Sequence, residues 1–135
     1  MRRNITITTN PDNLQQNNIF INQIPSIVNY SCDNIFIDCL EHIQEKDLAS
    51  IITILLEKIR PQGKLIISIN NVDSIIDKFS KRSISHNEFL LFFANKQNLI
   101  SVENIYTLID FQSFDILDIK YEDNSITIII ERKQK

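Results

Sequence analysis

The sequence predicts one α/β domain, residues 1–135, and three observations support that prediction. Short apolar, β-branched runs alternate with amphipathic helical segments along the chain. Two of these runs, at 34–39 and 64–69, bracket one long helical segment, as in a right-handed βαβ unit. The last two runs are separated only by Asp123 and Asn124, which is the spacing of an antiparallel hairpin. We therefore expect a three-layer α/β sandwich with a mostly parallel sheet and a C-terminal antiparallel hairpin.

The first part of the chain predicts strands joined by turns. Ile5–Thr9 alternates apolar and polar β-branched residues, which is typical of a strand. Asn10–Asn13 carries the Asn, Pro and Asp residues of a turn. Ile19–Ile21 is a short apolar run, and Asn34–Cys39 is apolar enough to be a buried strand.

The middle of the chain predicts a long helix followed by a strand. Apolar residues recur at helical spacing and form one stripe, with Asp47 as the expected N-cap; the stripe consists of Leu48, Ile51, Ile52, Leu55 and Ile59. Pro61 and Gly63 are expected to end this helix. Lys64–Ile69 then predicts a second buried strand.

The last part of the chain predicts three short helices before the hairpin. The first covers Ser74–Phe79, and the second begins with Ser85 and Glu88 as a capping box. Its phenylalanines are expected to lie in the core or an interface, with a lid over an apolar acceptor as the alternative: Phe89, Phe92 and Phe93. Ser101 is expected to cap a helix with apolar positions up to Ile109. The hairpin strands are expected at Phe114–Glu122 and Ser125–Glu131.

Composition excludes several classes of function. The chain has one glycine, so the glycine-rich loops that cradle phosphates cannot be present. The formal charge of −3 argues against non-specific nucleic-acid binding. No apolar run reaches the roughly 18–20 residues of a membrane span, and the N-terminus lacks the apolar stretch of a secretory signal. We therefore expect a cytoplasmic protein with no membrane partner, whose Cys32 and Cys39 are free thiols in or near the core.

Two motifs at a fixed spacing resemble a known family. Residues 33–43 read Asp-Asn-Ile-Phe-Ile-Asp-Cys-Leu-Glu-His-Ile, and residues 61–65, after the helix, read Pro-Gln-Gly-Lys-Leu. This pattern resembles the branch of the class I S-adenosylmethionine-dependent methyltransferases that has L-E-H-I after one strand and P-G-G before the next. Residues 101–116 also resemble the last helix of that fold and its G-F-x-I strand, with Ser113 in place of the glycine. The resemblance runs from about residue 4 to residue 132 and implies the Rossmann-like methyltransferase fold.

The same resemblance implies that the half of the fold that holds the cofactor is altered. In the family, the first strand ends in a G-x-G turn whose backbone contacts the cofactor, and the next strand ends in an acidic residue that binds the ribose. This chain matches the family from the second strand onward, with Ile5–Thr9 as that strand, so we expect an N-terminally truncated version of the fold. The glycine turn has no counterpart, and the remaining candidates for cofactor binding are Asp12 and Asp38.

Without a first strand, a central position of the sheet beside Asn34–Cys39 would be empty. Unpaired strand edges are a liability for a folded protein. We expect Ile5–Thr9 to move into that position and give a smaller sheet. The alternatives are a strand from another chain or the pairing of two copies.

Polar residues cluster where the predicted parallel strands end, the edge at which open α/β sheets bind ligands. Glu41 and His42 are the candidate catalytic residues there, with His42 as a general base. By resemblance to branches with an E-x-x-E-H motif, Glu41 and His42 could hold a divalent metal together with His86. Asn70 and Asn71 stand where the family has Pro-Asn beside its substrate, so they are the candidate substrate residues. The alternative for each is an ordinary structural role in a loop or helix end.

Three functions follow from these residues. The first is a degenerate methyltransferase-like protein that acts as a non-catalytic binding or scaffold subunit, as a homo-oligomer or with an active methyltransferase-type protein. The second is an active methyltransferase that binds S-adenosylmethionine only when a partner chain completes the site. The third is a divalent-metal-binding protein.

Overall fold

The computed structural model describes residues 3–8, 18–94 and 99–134, apart from the side chain of Phe20. Within these ranges six strands form, namely β1 (Asn4–Thr8), β2 (Asn18–Phe20), β3 (Cys32–Ile37), β4 (Ile59–Asn70), β5 (Phe114–Tyr121) and β6 (Ser125–Arg132). The four α-helices there are α1 (Glu45–Lys58), α2 (Val72–Ser80), α3 (His86–Phe93) and α4 (Val102–Thr107). Two 3-10 helices, Ile21–Ser26 and Leu40–His42, follow β2 and β3.

All six strands belong to one sheet, in the order β2-β1-β3-β4-β6-β5. The first four are parallel to one another, whereas β6 is antiparallel to both β4 and β5. The prediction of a mostly parallel α/β sheet that ends in an antiparallel hairpin is therefore confirmed. The parallel order brings the carboxyl ends of β1, β3 and β4 to the same edge of the sheet.

Strand β1 lies beside β3, in the central position that the sequence left open. The two strands pair in parallel from Asn4 opposite Asn34 to Ile7 opposite Ile37. The N-terminal strand is therefore found where it was expected, but it holds the place of the family's first strand, with β2 in the place of the second. The truncation of the fold before it stays a prediction. On its other side, β1 pairs with the three residues of β2, so neither side of β1 is an open edge.

The core is formed by the alternating apolar residues of the central strands. Ile7, Ile35 and Ile67, from three neighbouring strands, are fully buried. Ile128 of β6 continues the same layer of side chains. Burial of one such side chain stabilises the fold by about 1.5–3 kcal/mol. Cys32 and Cys39 are free and buried, as predicted.

Helix α1 begins and ends at different residues than the sequence suggested. Its N-cap is Gln44, so the prediction of Asp47 as the cap is wrong; Asp47 lies in the first turn, where its carboxylate still favours the helix dipole. The helix ends at Lys58, and Ile59 already has the extended angles of β4. Ile59 belongs to the apolar stripe in sequence but is buried as a strand residue. The strand that follows is therefore longer than predicted.

The turn at the start of β4 shows why its one glycine is needed. Gln62 has a φ of 66°, in the left-handed region that favours glycine, at the position where the family pattern has the first glycine of P-G-G. A Cβ on Gly63 would lie 2.8 Å from the carbonyl oxygen of Cys32 and 2.9 Å from that of Arg60. Gly63 thus permits a close approach of backbones, next to a register irregularity between β3 and β4.

The shorter helices have the predicted caps. The Ser85 hydroxyl accepts the Glu88 N–H at 3.1 Å, and the Glu88 carboxylate accepts the Ser85 N–H at 3.3 Å. Ser101 forms the same capping box with Asn104. Helix α3 has no fully buried residue, and Phe89, Phe92 and Phe93 are half-buried. The expectation that these phenylalanines lie in the core is wrong, whereas the interface stays a prediction. In the part of the chain that the structure describes, none of the helices is long and apolar enough to cross a membrane.

Candidate functional site

Glu41 and Asn70 meet at the carboxyl edge of the sheet. Glu41 lies in the 3-10 helix after β3, and Asn70 is the last residue of β4. The Oε1 atom of Glu41 accepts the backbone N–H of Asn70 at 3.2 Å and a short hydrogen bond from its side-chain amide. Glu41 is 3% exposed, which is rare for a carboxylate. The contact joins the ends of two neighbouring parallel strands.

The second oxygen of Glu41 is unusual. Oε2 is buried and has no hydrogen-bond partner among the described residues. A buried polar atom without a partner costs about 1–3 kcal/mol, so such atoms are uncommon and call for an explanation. Glu41 was predicted to be a catalytic or metal-binding residue, and the structure instead gives it a direct contact with the predicted substrate residue Asn70.

Asn71, the second predicted substrate residue, connects three elements. Its Oδ1 atom accepts the N–H of Ser74 at 3.2 Å and caps α2. Its Nδ2 atom donates to the carbonyl of Glu122 at 2.8 Å, and its backbone N–H donates to Asn124 at 3.2 Å. Asn71 therefore fixes the start of α2 against the hairpin.

A cavity of about 330 Å³ opens beside Asn70 and Asn71. It is closed by the start of α2, the start of α4 and the hairpin, and its other lining residues include Asp73, Ile100, Ser101, Glu103, Tyr121 and Ile126. Its lining mixes apolar side chains with carboxylate, hydroxyl and amide groups, as in many small-molecule sites. Asp73 and Glu103 were not predicted from the sequence, although each lies in the first turn of a helix that begins at this edge.

His42 lines a different cavity from Asn70. This second cavity, of about 640 Å³, lies between the 3-10 helix Ile21–Ser26 and the start of α1, where its polar lining includes Asn22, Lys46 and Asp47. His42 is exposed, whereas Glu41 next to it is buried. The two predicted catalytic residues therefore face different surroundings, although they are adjacent in sequence.

Asp38 lies at the end of β3 and is exposed. Burial raises the pKa of the neighbouring Cys39 thiol to about 11, and the negative charge of Asp38 adds to that effect. The Cys39 Sγ atom lies 3.7 Å from the carbonyl oxygen of Ile7 and links the ends of β3 and β1. The other predicted cofactor residue, Asp12, lies outside the described residues.

The predicted metal site is not assembled. His86 is the first residue of α3, where its ring lies 6.0 Å from the ring of Phe79. Glu41, His42 and His86 all lie within the described residues, and within them no three His, Cys, Asp or Glu side chains are close enough to hold a metal ion. The helix that carries His86 packs against α2.

Comparison of the sequence with family models and with curated proteins gives no match. Comparison of the structure with solved structures, in contrast, gives many matches. A S-adenosylmethionine-dependent methyltransferase from Archaeoglobus fulgidus superposes with a TM-score of 0.67 at 11% identity, over 97% of this chain and 86% of that protein. The chain has the class I methyltransferase fold.

Two further structures agree with that fold. A putative type 11 methyltransferase from Sulfolobus solfataricus has a TM-score of 0.58 at 12% identity, over 96% of this chain and 70% of that protein. The plantazolicin methyltransferase BpumL, in complex with a monoazolic desmethyl analogue and S-adenosylhomocysteine, has a TM-score of 0.62 at 14% identity, over 97% of this chain and 67% of that protein. At this level of identity the methyltransferase fold is shared, whereas residues of the site are not carried over.

Proposed function

We propose that this methyltransferase-fold protein does not transfer methyl groups by itself and acts as a binding or scaffold subunit. It would associate with a second copy or with an active methyltransferase. The observation that carries the proposal is the lack of a glycine after the central strand. Residues 9–17, which follow β1, contain no glycine. Strand β1 pairs with β3 in the way that the family's first strand pairs with its neighbour.

The steric reason is that a backbone can approach a ligand closely only where side chains are absent. The single glycine, Gly63, cannot serve this purpose, because it lies near the opposite end of β4. It lies seven positions before Asn70, which corresponds to roughly 23 Å along a strand. The carbonyl groups of Cys32 and Arg60 also already fill the space beside Gly63 that a ligand would need.

The strand after the central one gives independent support. The family pattern has an acidic residue at the end of that strand, where it binds the ribose hydroxyls. Here the strand is β2, and residues 18–22 read Asn-Ile-Phe-Ile-Asn, without a carboxylate. A neutral amide such as that of Asn22 gives a weaker hydrogen bond to a hydroxyl than a charged carboxylate does.

Calorimetry on the purified chain tests the proposal. We expect no heat of binding with S-adenosylmethionine or S-adenosylhomocysteine at concentrations up to about 100 μM, the range that detects micromolar affinity. An active methyltransferase in the same buffer serves as the positive control. Micromolar binding by this chain alone would contradict the proposal.

A second candidate function rests on the contact between Glu41 and Asn70. The carboxyl edge keeps a buried carboxylate with an unpartnered oxygen, and its partner Asn70 lines a cavity of about 330 Å³. These features suit an active methyltransferase whose cofactor site is completed by a partner chain. In that case, binding of S-adenosylmethionine would be absent for the chain alone and present after a partner is added. The Glu41→Gln variant, which keeps the shape and removes the charge, would then show reduced methyl transfer in the complex.

A further inference from the structure

The last five residues of helix α3 are all apolar, but none of them is part of the core. Residues 89–93 read Phe-Leu-Leu-Phe-Phe, and none of the helix is buried. Leu91 is 71% exposed and Leu90 is 51% exposed. A helix that is apolar all round is normally enclosed by other parts of a protein. Here its contacts within the chain are mainly with α2.

Half-buried phenylalanines of α2 and α3 pack on one another, and exposed apolar residues of the same two helices lie beside them. Phe79 of α2 stacks on Phe89 at 4.3 Å between ring centres, and Phe89 packs edge-on to Phe93 at 5.1 Å. Ile76, 47% exposed, lies one turn before Phe79 on the same side of α2. We call this surface the α2–α3 patch; it consists of Ile76, Phe79, Phe89, Leu90, Leu91, Phe92 and Phe93. Apolar patches of this extent are uncommon on monomeric proteins and mark interaction sites.

The charges around the patch indicate what kind of partner fits it. In residues 81–93, Lys81 already forms an ion pair with Asp77 at 3.1 Å. The remaining charges of that segment are one cation, Arg82, and one anion, Glu88, and they are not in an ion pair with any described residue. A lipid surface or an acidic partner would favour a basic rim. A rim with one charge of each sign is self-complementary instead.

From these features we infer that the α2–α3 patch is the surface by which two copies of this chain form a two-fold dimer. In a two-fold interface the same surface serves both copies, so Arg82 of each copy faces Glu88 of the other. A standard interface buries about 800 Å² per partner, with aromatic side chains at the centre and charged residues at the rim. The patch supplies four phenylalanines for that centre. The inference rests on the proposed scaffold function and names the surface that performs it.

Sedimentation velocity of the full chain, at concentrations between about 1 and 100 μM, tests the dimer. We expect a monomer–dimer equilibrium with a midpoint in the micromolar range. Leu90→Lys places a charge in the centre of the patch and should weaken the dimer more than tenfold. Leu117→Lys is the matched control, because Leu117 is 50% exposed on β5, and it should leave the equilibrium within about twofold of the wild type.

Further measurements separate the dimer from its alternatives. Arg82→Glu should weaken the dimer about tenfold, because the two-fold axis repeats the rim charge pair and the substitution removes both copies of it. Thermal melting of each variant verifies that it is folded, which is expected because Leu90 and Arg82 are exposed. A wild-type monomer at every concentration, or equal weakening by Leu117→Lys, would overturn the inference. Flotation of the wild type with vesicles of phosphatidylcholine and phosphatidylglycerol, lost in Leu90→Lys, would overturn it in favour of a lipid surface.

The dimer and the cofactor result can fail separately. If the chain is a dimer that binds S-adenosylmethionine, the dimer surface stands and the non-catalytic proposal falls. If the chain is a monomer that does not bind the cofactor, the non-catalytic proposal stands and the α2–α3 patch is not a dimer surface.

Discussion

Helices α1 and α3 are both rich in apolar residues, yet only α1 contributes to the core. Helix α1 buries one stripe, which includes Leu48, Ile52 and Leu55, and its other side carries polar residues. The last five residues of helix α3 are all apolar, and none of them is fully buried. The difference arises because α1 is the one α-helix between two adjacent parallel strands and must pack on the sheet between them. The longer connection from β4 to β5, which is also parallel to β4, carries three helices, and there Ile105 of α4 is fully buried, so α4 packs on the sheet and α3 stays outside. The position in the chain, more than the apolar content, determines which helix is enclosed.

The largest change in the free energy of unfolding is expected from a substitution in α1. Ile52→Ala should lower the free energy of unfolding by about 2–5 kcal/mol, because it leaves a cavity at a fully buried position. Leu91→Ala in α3 is the control, and it should change the free energy of unfolding of the monomer by less than about 0.5 kcal/mol. Urea unfolding of both variants at low protein concentration measures the two values. Equal losses would show that α3 is enclosed after all.

A smaller loss is expected at the turn that joins α1 to β4. Gly63→Ala should destabilise the fold by about 1–3 kcal/mol, because the added Cβ would meet two carbonyl oxygens within 3 Å, and backbone cannot move aside as a side chain does. Gln62→Ala, at the exposed neighbouring position, is the control and should have little effect. Thermal unfolding of the two variants measures the difference. An unchanged stability of Gly63→Ala would mean that β3 and β4 separate easily here.

The region around α1 should also respond to pH through Cys39. Burial raises the pKa of this thiol from 9.0 to about 11. Because the folded-state value is above the unfolded one, the stabilising contribution is complete below pH 9 and is lost as the pH rises towards 11. We expect about 2 kcal/mol of that stability to disappear across the interval.

Urea unfolding between pH 8 and pH 11 measures this loss of stability. Cys39→Ala should remove this part of the decline, whereas Cys32→Ala, the other buried thiol, should keep it. If the wild type and Cys39→Ala lose stability equally over this pH range, the loss arises from other titratable groups. Helix α3 contains no cysteine, so no equivalent effect is expected there.

The smallest effect is a gain. Gln62→Gly should raise the free energy of unfolding by about 0.5–1 kcal/mol, since glycine adopts a φ of 66° without strain, and this relief exceeds the entropy that glycine loses on folding. The gain is reduced slightly by the loss of an exposed hydrogen bond to Gln134. Gln62→Ala keeps the strained angle and should show no gain. A destabilised Gln62→Gly would mean that this turn is not strained.

The sequence predicted most of the sheet because strands that bracket a helix follow a strong rule. Strand β3, helix α1, strand β4 and the hairpin were all found within a few residues of their expected ends. The caps at Ser85 and Ser101 were also predictable, since capping depends on residues three positions apart. The ends of α1 were less predictable, because Ile59 fits the helical stripe in sequence but belongs to β4 in space.

The candidate site was predicted only in part. The sequence indicated Glu41 and Asn70 separately, and their contact could not be predicted from it because the two residues are 29 positions apart. His42 was expected beside Glu41, but the tight 3-10 turn gives the two side chains different surroundings. The predicted metal ligands Glu41, His42 and His86 do not come together, for a related reason. The sequence gives no information on how far His86 lies from the ends of the strands.

The sequence by itself determined which segments are strands and helices, because periodicity and capping act over a few residues. It also determined that glycine is missing after the central strand, since that is a matter of composition. Only the tertiary structure decided that β1 lies beside β3, that Glu41 is buried against Asn70, and that α3 is left outside the core. Each of these depends on contacts between residues far apart in the chain, where local patterns carry no information about distance.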